Sequence, residues 1–201
     1  MPDFKHRDSS GAAFWDERFQ QAFMPWDRAG VPSALREFVR TAHAPMRTLI
    51  PGCGIGHEVA LLAESGWDVC AIDFSPAAVH AARQNLGQLG ERVIEADFFA
   101  FEPKQPLELI YERAFLCALP PAMREAIAAR WAKLLPAGAL LAGYFFIDAT
   151  RGGPPFGIEA EQLNALLQTN FVCIEDKPVD DSITVFAGKE RWQVWRRLPL
   201  S

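Results

Sequence analysis

"LIPGCGIGHEV", residues 49–59, runs from an apolar stretch into three glycines within five residues and then into a helix-like segment. Strand, glycine-rich turn and helix start, in that order, form a nucleotide-type site. The glycines let bare backbone approach a ligand, and the turn falls at the carboxyl edge of a sheet.

Working outward, the chain alternates strand and helix signals. Residues 47–51 read as a strand, 57–65 as a helix closed by Gly66, and 67–73 as a strand. Ser75 is placed to cap the next helix, with Pro76 at its first position. Strands are expected at 92–97, 107–112 and 138–147, with a helix at 121–134 opened by Pro121. A further helix at 159–170 precedes a closing strand pair, 171–177 and 190–198, joined by a short connection. Before the glycine turn, aromatics at 14, 15, 19, 23 and 26 suggest a helix over 14–26 that Pro25 ends. A second helix, 32–43, starts at Pro32-Ser33. Apolar strands alternating with helices imply a mainly parallel sheet covered on both faces, and the late strand pair implies an antiparallel end.

The 201 residues suffice for one domain with a sizeable core, and residues 1–201 are read as a single domain. Half of them are apolar and the net charge is −5, which is not the footprint of a nucleic-acid binder. The basic, aromatic "RWQVWRRL" is read as an edge strand with a solvated face. The N-terminal "MPDFKHRDSSG" lacks an apolar core for a signal peptide, and no stretch reaches membrane-spanning length. A cytoplasmic protein acting on a small molecule, without nucleic-acid or membrane partners, as a monomer or weak dimer, is the expectation. Cys53, Cys70, Cys117 and Cys173 form no CxxC pair, so they are read as free thiols and no metal site is expected.

The ligand of the glycine turn can be narrowed. The dinucleotide fingerprint needs a third glycine, and Val59 or His57 stands there instead. Glu58 is a poor neighbour for a pyrophosphate. Asp73 ends the next strand, where a carboxylate can accept from two ribose hydroxyls. Asp97 ends the following strand and Phe98 comes directly after it; the pair suits an adenine edge and stacking face. Ribose and adenine without phosphate describe S-adenosylmethionine.

With these motifs the sequence resembles the class I S-adenosylmethionine-dependent methyltransferases, and within them the thiopurine S-methyltransferase family with its thiol/halide branch. "FWDERF…PWD", "LIPGCGIGHEV", "IDFSPAAV", "EADFF", "YERAFLCALPP" and "GGPPF" carry the resemblance over roughly 14–198. It implies a Rossmann-like sandwich, a mostly parallel seven-stranded sheet with helices on both faces and an antiparallel C-terminal strand. It implies an S-methyltransferase of a small soft nucleophile: a thiol, thiopurine, bisulfide or halide. O- or N-methylation of another metabolite, or non-catalytic cofactor binding, are the alternatives. Cofactor contacts are expected from Trp15, Trp26, Gly52, Gly54, Gly56, Asp73, Phe74, Asp97, Phe98 and Tyr111. Residues 1–30 would form a lid whose aromatics, Phe19 among them, face the sulfonium; a hydrophobic staple of the first helix is the other reading of those aromatics. Arg113, Glu112 and Tyr144 are the expected catalytic residues. Arg113 either orients an anionic nucleophile or pairs with Glu112 or Asp97. Glu112 stands where the thiopurine branch has Asp, and Phe145 aligns where the halide branch has Tyr, with Tyr144 adjacent. His57 is read as a surface or packing residue.

Overall fold

The computed structural model describes residues 3–27 and 30–199. A single seven-stranded sheet runs through it in the order β3-β2-β1-β4-β5-β7-β6. Its strands are β1 (Arg47–Pro51), β2 (Asp68–Asp73), β3 (Val93–Glu95), β4 (Leu109–Arg113), β5 (Leu140–Phe146), β6 (Phe171–Pro178) and β7 (Glu190–Arg197). The first five are parallel; β7 lies antiparallel between β5 and β6. The helices are α1 (Ala12–Gln20), α2 (Ser33–Thr41), α3 (His57–Glu64), α4 (Pro76–Leu86), α5 (Arg124–Leu134) and α6 (Ala160–Leu167).

Strand alternation divides the apolar residues into two cores. Leu49, Ile72, Ile110, Leu141 and Trp195 pack with Ile127 and Trp131 of α5 and Leu163 and Leu167 of α6. Their neighbours Ile50, Ala71, Leu109, Tyr111, Ala142 and Val194 pack with Leu35 of α2, Val59 and Leu62 of α3 and Val79 of α4. Strands buried on both faces read as nearly continuous apolar runs because each successive side chain enters a different core. That parity also decides which strand-end residues face the site.

Three differences from the sequence reading bear on the site. The first helix stops at Gln20, and Ala22 takes a left-handed φ of 50°, so Phe23, Pro25 and Trp26 belong to an irregular arm. The β3 strand ends at Glu95, which leaves Asp97 and Phe98 in the following turn. The strand read as an edge, "RWQVWRRL", is internal: β7 pairs on both sides, and its tryptophans are buried. The edge strand at this end of the sheet is β6, and the connection between the two, residues 179–189, is long enough to bring Phe186 back to the site. Among the described residues no helix is long and apolar enough to cross a membrane.

Candidate active site

Beyond the carboxyl ends of β1, β2 and β4 lies a cleft of about 470 Å³. Its floor is the glycine turn. Gly52, Gly54 and Gly56 have φ of 61°, 54° and 79°, in the left-handed region where side chains are strained. A Cβ at Gly52 would also lie 2.8 Å from the Phe115 ring, which walls the cleft from the loop after β4.

Asp73 stands at the end of β2 and is almost fully buried, yet it lines the cleft. Its Oδ2 accepts from Gly54 N at 3.3 Å and its Oδ1 from Ser75 N at 3.0 Å. These bonds hold the glycine turn against the start of α4. Burial pushes its carboxyl up to about 6, against the lowering effect of those backbone bonds. Phe74 lines the cleft beside it.

The N-terminal arm covers the opening. Asp16 of α1 reaches across to α4, where its Oδ1 accepts from Ser75 Oγ at 2.6 Å and from Ala77 N at 3.0 Å. A carboxylate there complements the positive end of the helix. Trp15 and Trp26 meet edge to face at 5.4 Å, and Phe19 packs on Trp26 at 6.1 Å; all three line the cleft. Trp15 Nε1 donates to Ser9 O at 2.8 Å, so its orientation is fixed. Of the expected lid, residues 1, 2, 28 and 29 lie outside the described residues. On the far side, Gly153, Pro154 and Pro155 line the mouth, held by Phe156 N donating to Cys117 O at 2.7 Å and by Arg124 donating to Gly157 O at 2.6 Å.

The β4 end supplies the polar wall. Tyr111 and Arg113 share one face of the strand and both line the cleft. The Tyr111 hydroxyl is buried without a hydrogen-bond partner, and so are both Arg113 Nη nitrogens. The Arg113 guanidinium lies 5.0 Å from the Tyr144 ring centroid, in cation–π range. Its nearby carboxylate is Glu58, 3.9 Å away, and neither Glu112 nor Asp97 as the sequence suggested.

Several expected site residues stand elsewhere. Glu112, one residue from Arg113, points to the opposite face of the sheet. It does not line the cleft; its Oε1 accepts from Phe115 N at 3.0 Å and Leu116 N at 2.9 Å, closing the turn after β4. Burial pushes its carboxyl up to about 8. Tyr144 is also outside the cleft: its hydroxyl accepts from Ala34 N at 3.0 Å and caps the start of α2, and burial pushes it up to about 12. Phe145 enters the core over α5 and α6. Asp97 is exposed and accepts from Phe99 N at 2.9 Å. Phe98 is buried behind Phe115, with ring centroids 4.9 Å apart, and does not itself line the cleft. Glu112 and Phe145 are one parity step away from the site, and Asp97 and Phe98 lie in the turn after β3, whereas Tyr144 shares the face of Tyr111 and Arg113 and is directed to α2.

Other residues enter that sequence reasoning had not assigned to it. Glu58 lines the cleft from the first turn of α3. His57 is neither a free surface residue nor packing alone: its Nε2 lies 3.0 Å from Asp27 Oδ1, and both line the cleft. Phe4, Phe23 and Phe186 add apolar wall. The "GHE" following the glycines was the signal available for Glu58; nothing local signalled Phe186. Among the described residues no group of His, Cys, Asp and Glu is placed to hold a metal ion.

Residues 10–198 match the sequence profile of the thiopurine S-methyltransferase family. A probable thiol methyltransferase 2 of Arabidopsis thaliana is 30% identical over 97% of this chain and 90% of its own. A thiocyanate methyltransferase 1 of Brassica oleracea is 30% identical over 92% of this chain and 84% of its own. Among solved structures, magnesium protoporphyrin IX methyltransferase from Synechocystis PCC 6803 with bound SAM superposes with a TM-score of 0.70. It covers 97% of this chain and all of that one at 15% identity, a likeness of fold.

Proposed function

From the premise that this chain belongs to the thiopurine S-methyltransferase family, we propose that it transfers a methyl group from S-adenosylmethionine to a small soft nucleophile of the thiol, thiopurine, bisulfide or halide type. The observation that carries the acceptor class is Arg113: a guanidinium whose side chain is 9% exposed, at the cleft wall, with both Nη nitrogens free of hydrogen bonds. A buried cation with open donors favours an anionic partner.

The cleft fits the cofactor. The turn at Gly52, Gly54 and Gly56 presents backbone without side chains, and the Asp73 carboxylate beside it has lone pairs left for two ribose hydroxyls. Trp15, Trp26 and Phe19 supply π faces and a cover suited to a sulfonium. When bound, the cofactor supplies an electrophilic methyl on a positively charged sulfur that departs neutral. The protein's own part is then mostly positioning and exclusion of water. Arg113 orients the nucleophile, the Tyr111 hydroxyl is a second donor beside it, and the arm with the Gly153–Pro155 loop closes the cleft. Phe115, in front of Phe98, takes the place on the wall that the sequence reading gave to Phe98. A soluble enzyme of the cytoplasm, working on small molecules, is the setting this reading favours.

The test is a panel of acceptors (thiopurine, aromatic and alkyl thiols, bisulfide, iodide, thiocyanate) with labelled cofactor. At least one soft nucleophile should be methylated. Arg113→Ala should lower kcat/KM by the equivalent of roughly 1.5–3 kcal/mol, the range for a hydrogen bond to a charged group, while S-adenosylhomocysteine affinity measured by calorimetry stays. Arg113→Lys should rescue a simple anion better than a planar thiopurine. Unchanged turnover across the panel in Arg113→Ala would remove Arg113 from the acceptor site.

A further inference from the structure

Glu58 brings a third carboxylate to the cleft wall, beside Asp73 and Asp27. Its side chain is 14% exposed, and its Oε1 lies 3.9 Å from Arg113 Nη1, beyond hydrogen-bonding distance. Opposite stand two sets of donors without partners, the Arg113 Nη nitrogens and the Tyr111 hydroxyl. The three side chains line one cleft and act electrostatically on one another. The other titratable groups facing Glu58 are His57 on its own helix, Asp27 of the N-terminal arm, and Cys53 of the glycine turn.

Of the other carboxylates that line the cleft, Asp73 accepts backbone bonds at both oxygens and Asp27 is held by His57; Glu112 and Glu190 act on Arg113 but do not line the cleft. Glu58 stands beside a cation suited to an anionic sulfur, 3.9 Å away and so outside hydrogen-bonding distance. Resting on the reading of this cleft as a thiol-type acceptor site, we propose that Glu58 is a catalytic residue that takes the proton from a neutral thiol, so that the thiolate forms beside Arg113. Burial raises the Glu58 carboxyl above its ordinary value, against the pull of Arg113, which makes it a better base than an exposed carboxylate.

The step balances without a further reactant. The S–H bond breaks, its proton passes to a Glu58 carboxylate oxygen, and the electron pair stays on sulfur beside the guanidinium. That pair then forms the new S–C bond as the methyl leaves the sulfonium, whose sulfur keeps the pair of the broken bond. Two neutral thioethers result, and the Glu58 proton leaves to solvent. Acceptors that carry a proton therefore depend on Glu58, whereas anions without one, such as thiocyanate, do not need it as a base.

Glu58→Gln keeps the shape and removes the base. The ratio of kcat/KM for an alkyl thiol to that for thiocyanate should fall roughly 100-fold at pH 7, within the range for loss of a general base. Glu58→Asp should restore part of the ratio. A second readout needs no turnover. An ultraviolet-absorbing thiol is added to the protein with S-adenosylhomocysteine, at a pH below the thiol's own pKa. The thiolate band should appear with the unmutated protein and be lost in Glu58→Gln. An unchanged ratio, or a thiolate band that persists in Glu58→Gln, overturns the proposal. So does weaker S-adenosylhomocysteine binding with both acceptors slowed alike, which would make Glu58 a cofactor ligand. If the unmutated protein binds S-adenosylhomocysteine but methylates no soft nucleophile, the acceptor-site reading itself has failed, and the proposal goes with it.

Discussion

At the end of β2, Asp73 accepts two backbone N–H bonds and still lines the cleft; near the end of β4, Glu112 accepts two backbone N–H bonds and lies on the far side of the sheet. Both are strand-end carboxylates, both are buried, and both are held above their ordinary values by that burial, to about 6 and about 8. What separates them is parity. Asp73 follows Val69 and Ala71 on the face that packs against α2, α3 and α4, and Arg113 follows Leu109 and Tyr111 on the same face. Glu112 follows Ile110 onto the α5 and α6 side. The same chemical group thus faces the cleft in one strand and plugs a turn in the next, because successive side chains on a strand point to opposite faces.

The comparison can be broken most sharply at Glu112. Glu112→Ala leaves the Phe115 and Leu116 amides buried without an acceptor, and should destabilise the fold by about 2–4 kcal/mol. Denaturant unfolding measures this, while S-adenosylhomocysteine affinity of the folded protein should stay. A large affinity loss with little change in stability would put Glu112 back in the site.

Asp73→Ala should show the reverse. Cofactor affinity should fall by roughly 1.5–3 kcal/mol for the loss of charge-assisted hydrogen bonds, with the fold retained. With a carboxyl at about 6, the ionised form is the better acceptor of ribose hydroxyls. Affinity in the unmutated protein should therefore weaken as pH falls through about 6, and Asp73→Asn should flatten that dependence. Calorimetry across pH 5–8 decides it; a pH-independent affinity would argue against Asp73 as the ribose ligand.

The next effect is the pH dependence of stability that Glu112 contributes. Its folded value, about 8, lies above the ordinary 4.5, so between these values the folded state holds a proton that the unfolded state has lost. Stability should therefore fall as pH rises from about 4.5 to about 8, by on the order of 1 kcal/mol per pH unit, and level off above. Glu112→Gln, which keeps an acceptor oxygen and cannot ionise, should remove that component and be the more stable protein at pH 8. Parallel slopes for the two proteins would contradict the assignment.

The smallest effect is expected at Tyr144. Tyr144→Phe deletes the acceptor for Ala34 N but keeps the ring beside Arg113. It should cost about 0.5–1.5 kcal/mol of stability, read by thermal unfolding, and leave kcat/KM for a soft nucleophile in place. A lost turnover with unchanged stability would return the hydroxyl to the chemistry.

Much of this molecule was legible in its sequence. The periodicity of the apolar runs located all seven strands and the main helices, since each element must bury a face of its own period. Glycines between a strand and a helix, with an acidic residue ending the next strand, located the cleft, because few residues other than glycine adopt φ of 54–79° and because a cleft in such a sheet opens beyond the carboxyl ends of its strands. Ser75 and Pro76 placed the start of α4, since capping is local. Only the tertiary structure decided the rest. That β7 inserts between β5 and β6 depends on pairing across the sheet, which no local signal encodes. Whether Glu112 or Glu58 accompanies Arg113 depends on strand parity and on where α3 begins in space. That Asp16 docks α1 onto α4, and that Phe186 returns to the cleft, are contacts between residues far apart in the chain. Residue type and spacing specify which chemistry is possible; the direction of each side chain, set by packing two cores on one sheet, specifies which of those residues meet.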